Sequence, residues 1–200
     1  MGVDGPRIPG VSSCVQVGRR ALDGRSHWGG LCRTPGYNVA TDMKGSEFDE
    51  TDFFRAIQNS GARALLIGRR ALVALGIPVL TADYDFWIHI DDIVRFNEAV
   101  EPMELMPTRA PEDARARGRY VLENDERVDV LVARWVPTTD GVRVAFHELW
   151  ERRSLLTVGP DVEVAVPALE DLILTKRFAS RPKDLEDIRL LEALRSEEQE

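Results

Sequence analysis

Leu66-Ile67-Gly68-Arg69-Arg70, followed by Thr81-Ala82-Asp83-Tyr84-Asp85-Phe86-Trp87-Ile88, is the stretch whose reading decides the fold. A short apolar run ends at a glycine turn, and a second apolar run begins with two carboxylates one residue apart. Side chains alternate faces along a strand, so Asp83 and Asp85 point the same way, roughly 6.5–7 Å apart along the backbone. Two carboxylates on one face can hold divalent cations of the kind used for in-line displacement at phosphorus. The glycine turn belongs where a phosphate sits, at the start of a helix.

Working outward, Thr51 and Asp52 are expected to cap a helix reaching Ser60, with Phe53, Phe54 and Ile57 inside and Gly61 at its end. Ala64 to Ile67 reads as a short buried strand, Arg69 to Leu75 as one or two helical turns, and Tyr84 to Ile90 as a second strand. Asp91-Asp92 is placed to cap a helix bearing Ile93, Phe96 and Val100. Residues 102–111 hold three prolines and two methionines and read as a loop. Asn124-Asp125 signals a hairpin between Gly118–Glu123 and Arg127–Ala133. Phe146 to Trp150 reads as a short helix or turn. A second hairpin follows around Gly159-Pro160, then two helices, Ala168 to Phe178 and Pro182 to Leu194, the latter capped by Ser180. Hairpins mixed with strand–helix–strand connections define an α+β class with a mixed sheet.

The chain has 200 residues, 44% apolar and 30% charged, with a net charge of −8. That suits one globular domain able to bury a sizeable core. The acidic balance excludes a nonspecific nucleic-acid coat but leaves room for a local basic groove at a nucleotide or RNA end. No apolar run approaches the roughly 20 residues of a membrane span, and the first residues lack a signal-peptide core, so the expected location is cytoplasmic. Residues 1–42 hold eight of the fifteen glycines, both cysteines (Cys14 and Cys32) and five arginines, without sustained periodicity. They read as a flexible extension, or as the product of a start set upstream of Met43; the cysteines read as free thiols. The remaining 43–200 form the domain, with a core over about 52–135 and a C-terminal hairpin and helices over about 140–195.

The ordered set of glycine turn, Thr81-x-Asp83-x-Asp85 and a later strand acid, Asp129 in Arg127-Val128-Asp129-Val130-Leu131, resembles the nucleotidyltransferase superfamily that shares the DNA polymerase β-like palm. Val162 to Lys176 and the segment Arg181-Pro182-Lys183-Asp184-Leu185-Glu186-Asp187-Ile188 are similar to bacterial stand-alone nucleotidyltransferase-like proteins, some of them toxins of AbiEii type. The resemblance covers roughly residues 52–195. It implies a mixed sheet flanked by helices with a C-terminal helical pair. It also implies Asp83, Asp85 and Asp129 as catalytic metal ligands, Mg²⁺ as cofactor and an NTP as substrate. Gly68, Arg69 and Lys176 would then lie at the triphosphate. The acceptor is RNA, protein or a small molecule, and an antitoxin partner fits the toxin-like relatives. The family's turn carries Gly-Gly or Gly-Ser; here Arg69 either contacts phosphate or fills the nucleotide site.

Each sharp reading has a plain counterpart. Asp129 can pair with Arg127 or Arg134 instead of a cation. Lys176 can complement a helix dipole. Arg181, Asp184 and Asp187 read mostly as a solvated helix face with i,i+3 pairs, Asp184 holding Lys176 or Arg181. His89 and Trp87 continue the Asp83–Asp85 face: His89 reads as a structural histidine or as one that approaches the site, Trp87 as a core or rim aromatic or as a stack for a base, while Trp135 and Trp150 read as core. His147 and His27 have no evident partners. Arg115, Arg117 and Arg119 form either an exposed charge run or a contact to the acceptor. A non-catalytic relative that keeps the fold as a binding or regulatory protein is the competing function. A sugar-nucleotide transferase, in which an Asp-x-Asp pair also binds metal, usually needs a longer chain.

Overall fold

The computed structural model describes residues 48–178 and 181–197. The expectations for residues 1–42, Cys14, Cys32, His27, Met43 and Ser180 lie outside them. Helix α1 (Glu50–Ser60) starts two to three residues earlier than a cap at Thr51 or Asp52 suggests. Asp49 is its N-cap, with a carboxylate that accepts from the Asp52 N–H at 2.9 Å. Gly61, at φ 65°, closes the helix in the left-handed conformation that glycine takes without penalty. Phe53, Phe54 and Ile57 are its buried face, as expected.

Strand β1 (Ala64–Ile67) runs directly into α2 (Gly68–Ala74), and β2 (Tyr84–Ile88) follows after an extended connection. Helix α3 (Ile93–Val100) buries Ile93, Phe96 and Val100. Asp92 stands at its N-cap position but makes no cap bond; its carboxylate accepts instead from the Arg63 backbone N–H (3.0 Å) and Nε (2.7 Å). The segment read as a loop is more structured than its prolines suggest. It contains a 3₁₀ turn (Glu101–Met103) and β3 (Met106–Pro107), and Pro111 opens helix α4 (Pro111–Arg117), where the missing N–H costs nothing. The hairpin around Asn124-Asp125 joins β4 (Arg119–Glu123) to β5 (Arg127–Leu131).

These five strands form one sheet in the order β1-β2-β5-β4-β3. The β2–β5 pairing is parallel and the others are antiparallel, so the sheet is mixed, as read from the sequence. Two small hairpins follow: β6 (Trp135–Pro137) with β7 (Arg143–Ala145), and β8 (Ser154–Gly159) with β9 (Val162–Val166). Helix α5 (Phe146–Glu151) lies between them, and α6 (Leu169–Lys176) and α7 (Pro182–Glu197) end the described chain.

The sheet is covered unequally. One face carries the large core: Leu66, Phe86, Val128, Val130 and Tyr120 pack with Phe53, Phe54, Phe96 and the inner residues of β9 and α6. The other face carries a smaller cluster in which Leu65 and Trp87 meet Val136, Val144, Phe146 and Leu149. Trp87 is fully buried and donates from Nε1 to the Ala133 carbonyl at 2.7 Å, so the structural reading of it holds. Trp135 does not belong to the core. It is 45% exposed beneath the Arg143 guanidinium, because its three-residue strand pairs only with β7. Among the described residues no helix is long and apolar enough to cross a membrane.

Candidate active site

The second face of the sheet is covered only over part of its length, and the uncovered part holds the carboxylates. Strand register sets them in a row. Ile67 pairs with Asp85, Asp85 with Asp129, and Asp129 with Val121, whose carbonyl accepts from the Thr108 N–H at 2.9 Å. Neighbouring strands lie about 4.8 Å apart, so Asp85 and Asp129 are lateral neighbours. Asp83 precedes β2 and is exposed. One step along the same face stand Trp87, a member of the buried cluster, and Leu131, which is partly buried against it. The change from acid to apolar along one face marks where cover gives way to cavity.

That cavity, of about 680 Å³, is lined by all six residues singled out for the site: Gly68, Arg69, Asp83, Asp85, Asp129 and Lys176. Gly68 sits at φ 69°, a conformation suited to glycine. A Cβ there would come within 2.0 Å of Asp85 Oδ2, so the absence of a side chain is what admits the carboxylate against the turn. Burial pushes the Asp85 carboxyl above its usual range, and the charges of Asp129 and Asp83 push the same way, against Lys176 and Lys183.

Asp129 is also engaged by Arg127, with Nε to Oδ2 at 3.2 Å and an Nη to Oδ1 at 3.0 Å. Both partners are about half exposed, so this pair is worth under about 1 kcal/mol and is easily exchanged. As the side chains stand, no group of three histidine, cysteine or acidic residues forms a metal cluster among the described residues.

Arg69 lines the cavity, but its guanidinium is bound to α7: Nε lies 3.0 Å from Asp187 Oδ1, and an Nη lies 3.0 Å from Glu186 Oε2. Lys176 Nζ donates to the other oxygen of Asp187 at 2.7 Å, and both residues are buried. The C-terminal acids are therefore not a solvated face. Asp187 is fully buried and Asp184 is 2% exposed. Asp184 accepts from Arg181, through both the backbone N–H and Nε at 3.0 Å. Burial alone raises the Asp184 carboxyl; the Arg181 hydrogen bonds and charge outweigh it, and the net shift is downward. His89 packs edge-on against Phe146 beside Asp91, outside the cavity lining.

Sequence reasoning passed over several lining residues. Arg109, Lys183 and Phe178 reach the cavity from β3–α4, α7 and the end of α6, and their only sequence signal was proximity to recognised motifs. Arg119, weighed as part of a charge run, lines it too.

No family model matches the chain, and no curated protein matches it in sequence. Among solved structures it is similar to the nucleotidyltransferase ANT(2'')-Ia, an antibiotic-resistance factor. That match has a TM-score of 0.51 and 16% identity, over 70% of this chain and 78% of that one. A candidate nucleotidyltransferase from Thermotoga maritima aligns over 72% of this chain and 86% of its own, with a TM-score of 0.44 and 15% identity. The chain has the nucleotidyltransferase fold, with its mixed sheet, flanking helices and C-terminal helical segment. At such identities the likeness is one of fold.

Proposed function

We propose that this protein is a Mg²⁺-dependent nucleotidyltransferase that moves a nucleoside monophosphate from an NTP to an acceptor hydroxyl. The observation that carries the reading is the parallel β2–β5 register, which sets Asp85 beside Asp129 in a cavity that Gly68 also lines.

The donor set fits the cation. Asp83, Asp85 and Asp129 offer hard carboxylate oxygens, and among the described residues no cysteine or histidine lines the cavity. Those three residues would hold Mg²⁺, which supplies neutralisation of the triphosphate and activation of the attacking hydroxyl. In the reaction, the acceptor oxygen bonds to the α-phosphorus, and the bond from that phosphorus to the bridging oxygen breaks. Pyrophosphate leaves. The hydroxyl proton passes to Asp129, the more exposed acid of the paired row, and on to solvent. The Lys183 side chain lines the cavity with no hydrogen-bond or ion-pair partner among the described residues, which supports a role for it at the pyrophosphate.

The test is transfer from labelled NTPs with Mg²⁺. Label should enter a cellular RNA, a partner protein or the protein itself, and Asp83→Ala should abolish it. A second reading has its own support. Arg69 and Lys176 both face Asp187, and Asp129 faces Arg127, which suits a non-catalytic binding protein such as a toxin–antitoxin component. Absence of calorimetric nucleotide binding, with and without Mg²⁺, would select that second reading.

A further inference from the structure

The cavity has the opposite charge balance to the protein. The chain carries 34 acidic residues against 26 lysines and arginines, yet seven lysines and arginines line the cavity against four aspartates. Most of these cations are paired. Arg69 and Lys176 meet Asp187, Arg127 meets Asp129, and Arg181 meets Asp184. Among the described residues, the side chains of Arg119 and Lys183 have no ion-pair or hydrogen-bond partner. They stand on opposite walls, with the carboxylate row between them. Lys183 belongs to α7, on the side of the glycine turn. Arg119 belongs to β4, separated from β1 by two strands and hence about 14 Å across the sheet.

Two unpaired cations on opposite sides of one reacting row suit two anionic groups. On the transferase reading, the α7 side, next to Gly68, takes the triphosphate. The β4 wall then faces the acceptor. Arg119 is two residues along its strand from Val121, the neighbour of Asp129, a separation that one sugar-phosphate unit spans. Arg109 lines the same wall and gives one Nη to Asp113 at 3.0 Å, leaving other donors open. Asp113 also accepts from Arg117 Nε at 2.8 Å, so Arg109 and Arg117 share one carboxylate. Guanidinium groups bind phosphate oxygens through paired N–H donors, and a pair of them suits a doubly charged group.

We propose that Arg109 and Arg119 form an acceptor subsite for a phosphate-bearing acceptor, with its hydroxyl directed at Asp129. The proposal rests on the transferase reading but is tested by binding. Full-length protein is titrated with ribose 5-phosphate, with ribose, and with a 12-residue oligoribonucleotide, first alone and then with α,β-methylene ATP and Mg²⁺. At least one phosphate probe should bind and ribose should not. Arg119→Ala should weaken phosphate-probe binding about tenfold or more. Arg119→Lys should restore part of the loss, which a merely structural role would not do. Arg109→Ala provides an independent variant should Arg119→Ala fold poorly. An oligonucleotide preferred over ribose 5-phosphate and weakened by Arg117→Ala identifies a nucleic-acid end; equal affinities identify a small phosphate ester. The subsite is overturned if neither phosphate probe binds, if ribose binds as well, or if affinity stays within twofold in both alanine variants. Failure of α,β-methylene ATP to bind would sink the transferase reading alone, because the phosphate probes are read without it.

Discussion

Strand β2 shows the same five residues serving two ends. Tyr84, Phe86 and Ile88 face the large core and are buried. Asp85 and Trp87 face the other way, one into the cavity and one beneath the smaller cluster. The first face is redundant: aromatic rings from α1, α3 and β2 meet at 5.1–6.4 Å between centroids, and each contact is supported by several others. The second face has a single-purpose geometry, in which Gly68, Asp85 and Asp129 each admit one arrangement. Stability should therefore follow the first face and chemistry the second, and substitutions can separate them.

The largest effect belongs to the core face. Phe53→Ala on α1 removes a fully buried ring of that core, away from the cavity lining, and should cost about 3–5 kcal/mol in denaturant unfolding. Variant protein that remains folded should still bind nucleotide. A comparable loss is expected at the junction of the two regions. Asp187→Ala leaves Lys176 buried and Arg69 largely buried without their shared carboxylate, an uncompensated charge worth about 3–5 kcal/mol. Calorimetric melting distinguishes this from the exposed-face reading, under which the change would be below about 0.5 kcal/mol.

Gly68→Ala comes next. The left-handed backbone and the 2.0 Å approach to Asp85 both oppose a methyl group, with a stability cost of about 2 kcal/mol. The site should suffer more than the fold, because the group displaced is the Asp85 carboxylate. Nucleotide binding should fall well beyond what the melting shift accounts for; equal losses in both would break the separation of the two faces.

What the sequence carried follows from range. The Asp83–Asp85 pair and the inner faces of α1 and α3 were legible because period two and period 3.6 act over a few residues. The hairpin at Asn124-Asp125 was legible for the same reason. Register was not: Asp129 reaches Asp85 only through the parallel pairing of β2 with β5, across a crossover containing α3, β3, α4 and β4. Asp187 was misread as solvated because its partners, Arg69 and Lys176, come from α2 and α6, and nothing local signals their arrival. Helix α4 was missed because Pro111 is read equally well as a loop residue or as a first helical position. Trp135 was misplaced because aromatic character does not reveal that its strand lies in a two-stranded sheet.

The smallest effect is the most discriminating, because it is a gain in stability where the others are losses. Burial and the neighbouring Asp129 raise the folded-state pKa of Asp85 above its unfolded value. The folded state then holds that proton more tightly. The resulting stability is fully present below the unfolded pKa and is lost as pH rises through the folded value. Above the unfolded pKa, in protein stripped of divalent cations, the Asp85 carboxyl is therefore a liability. Asp85→Asn should raise the melting temperature there, by the equivalent of about 0.5–2 kcal/mol, and the gain should vanish below about pH 4. Mg²⁺ should raise the melting temperature of the natural protein and leave the variant unmoved. A variant less stable than the natural protein at neutral pH in chelator would mean that the carboxylate supports the fold. In that case the two faces of β2 would not be divided between stability and chemistry.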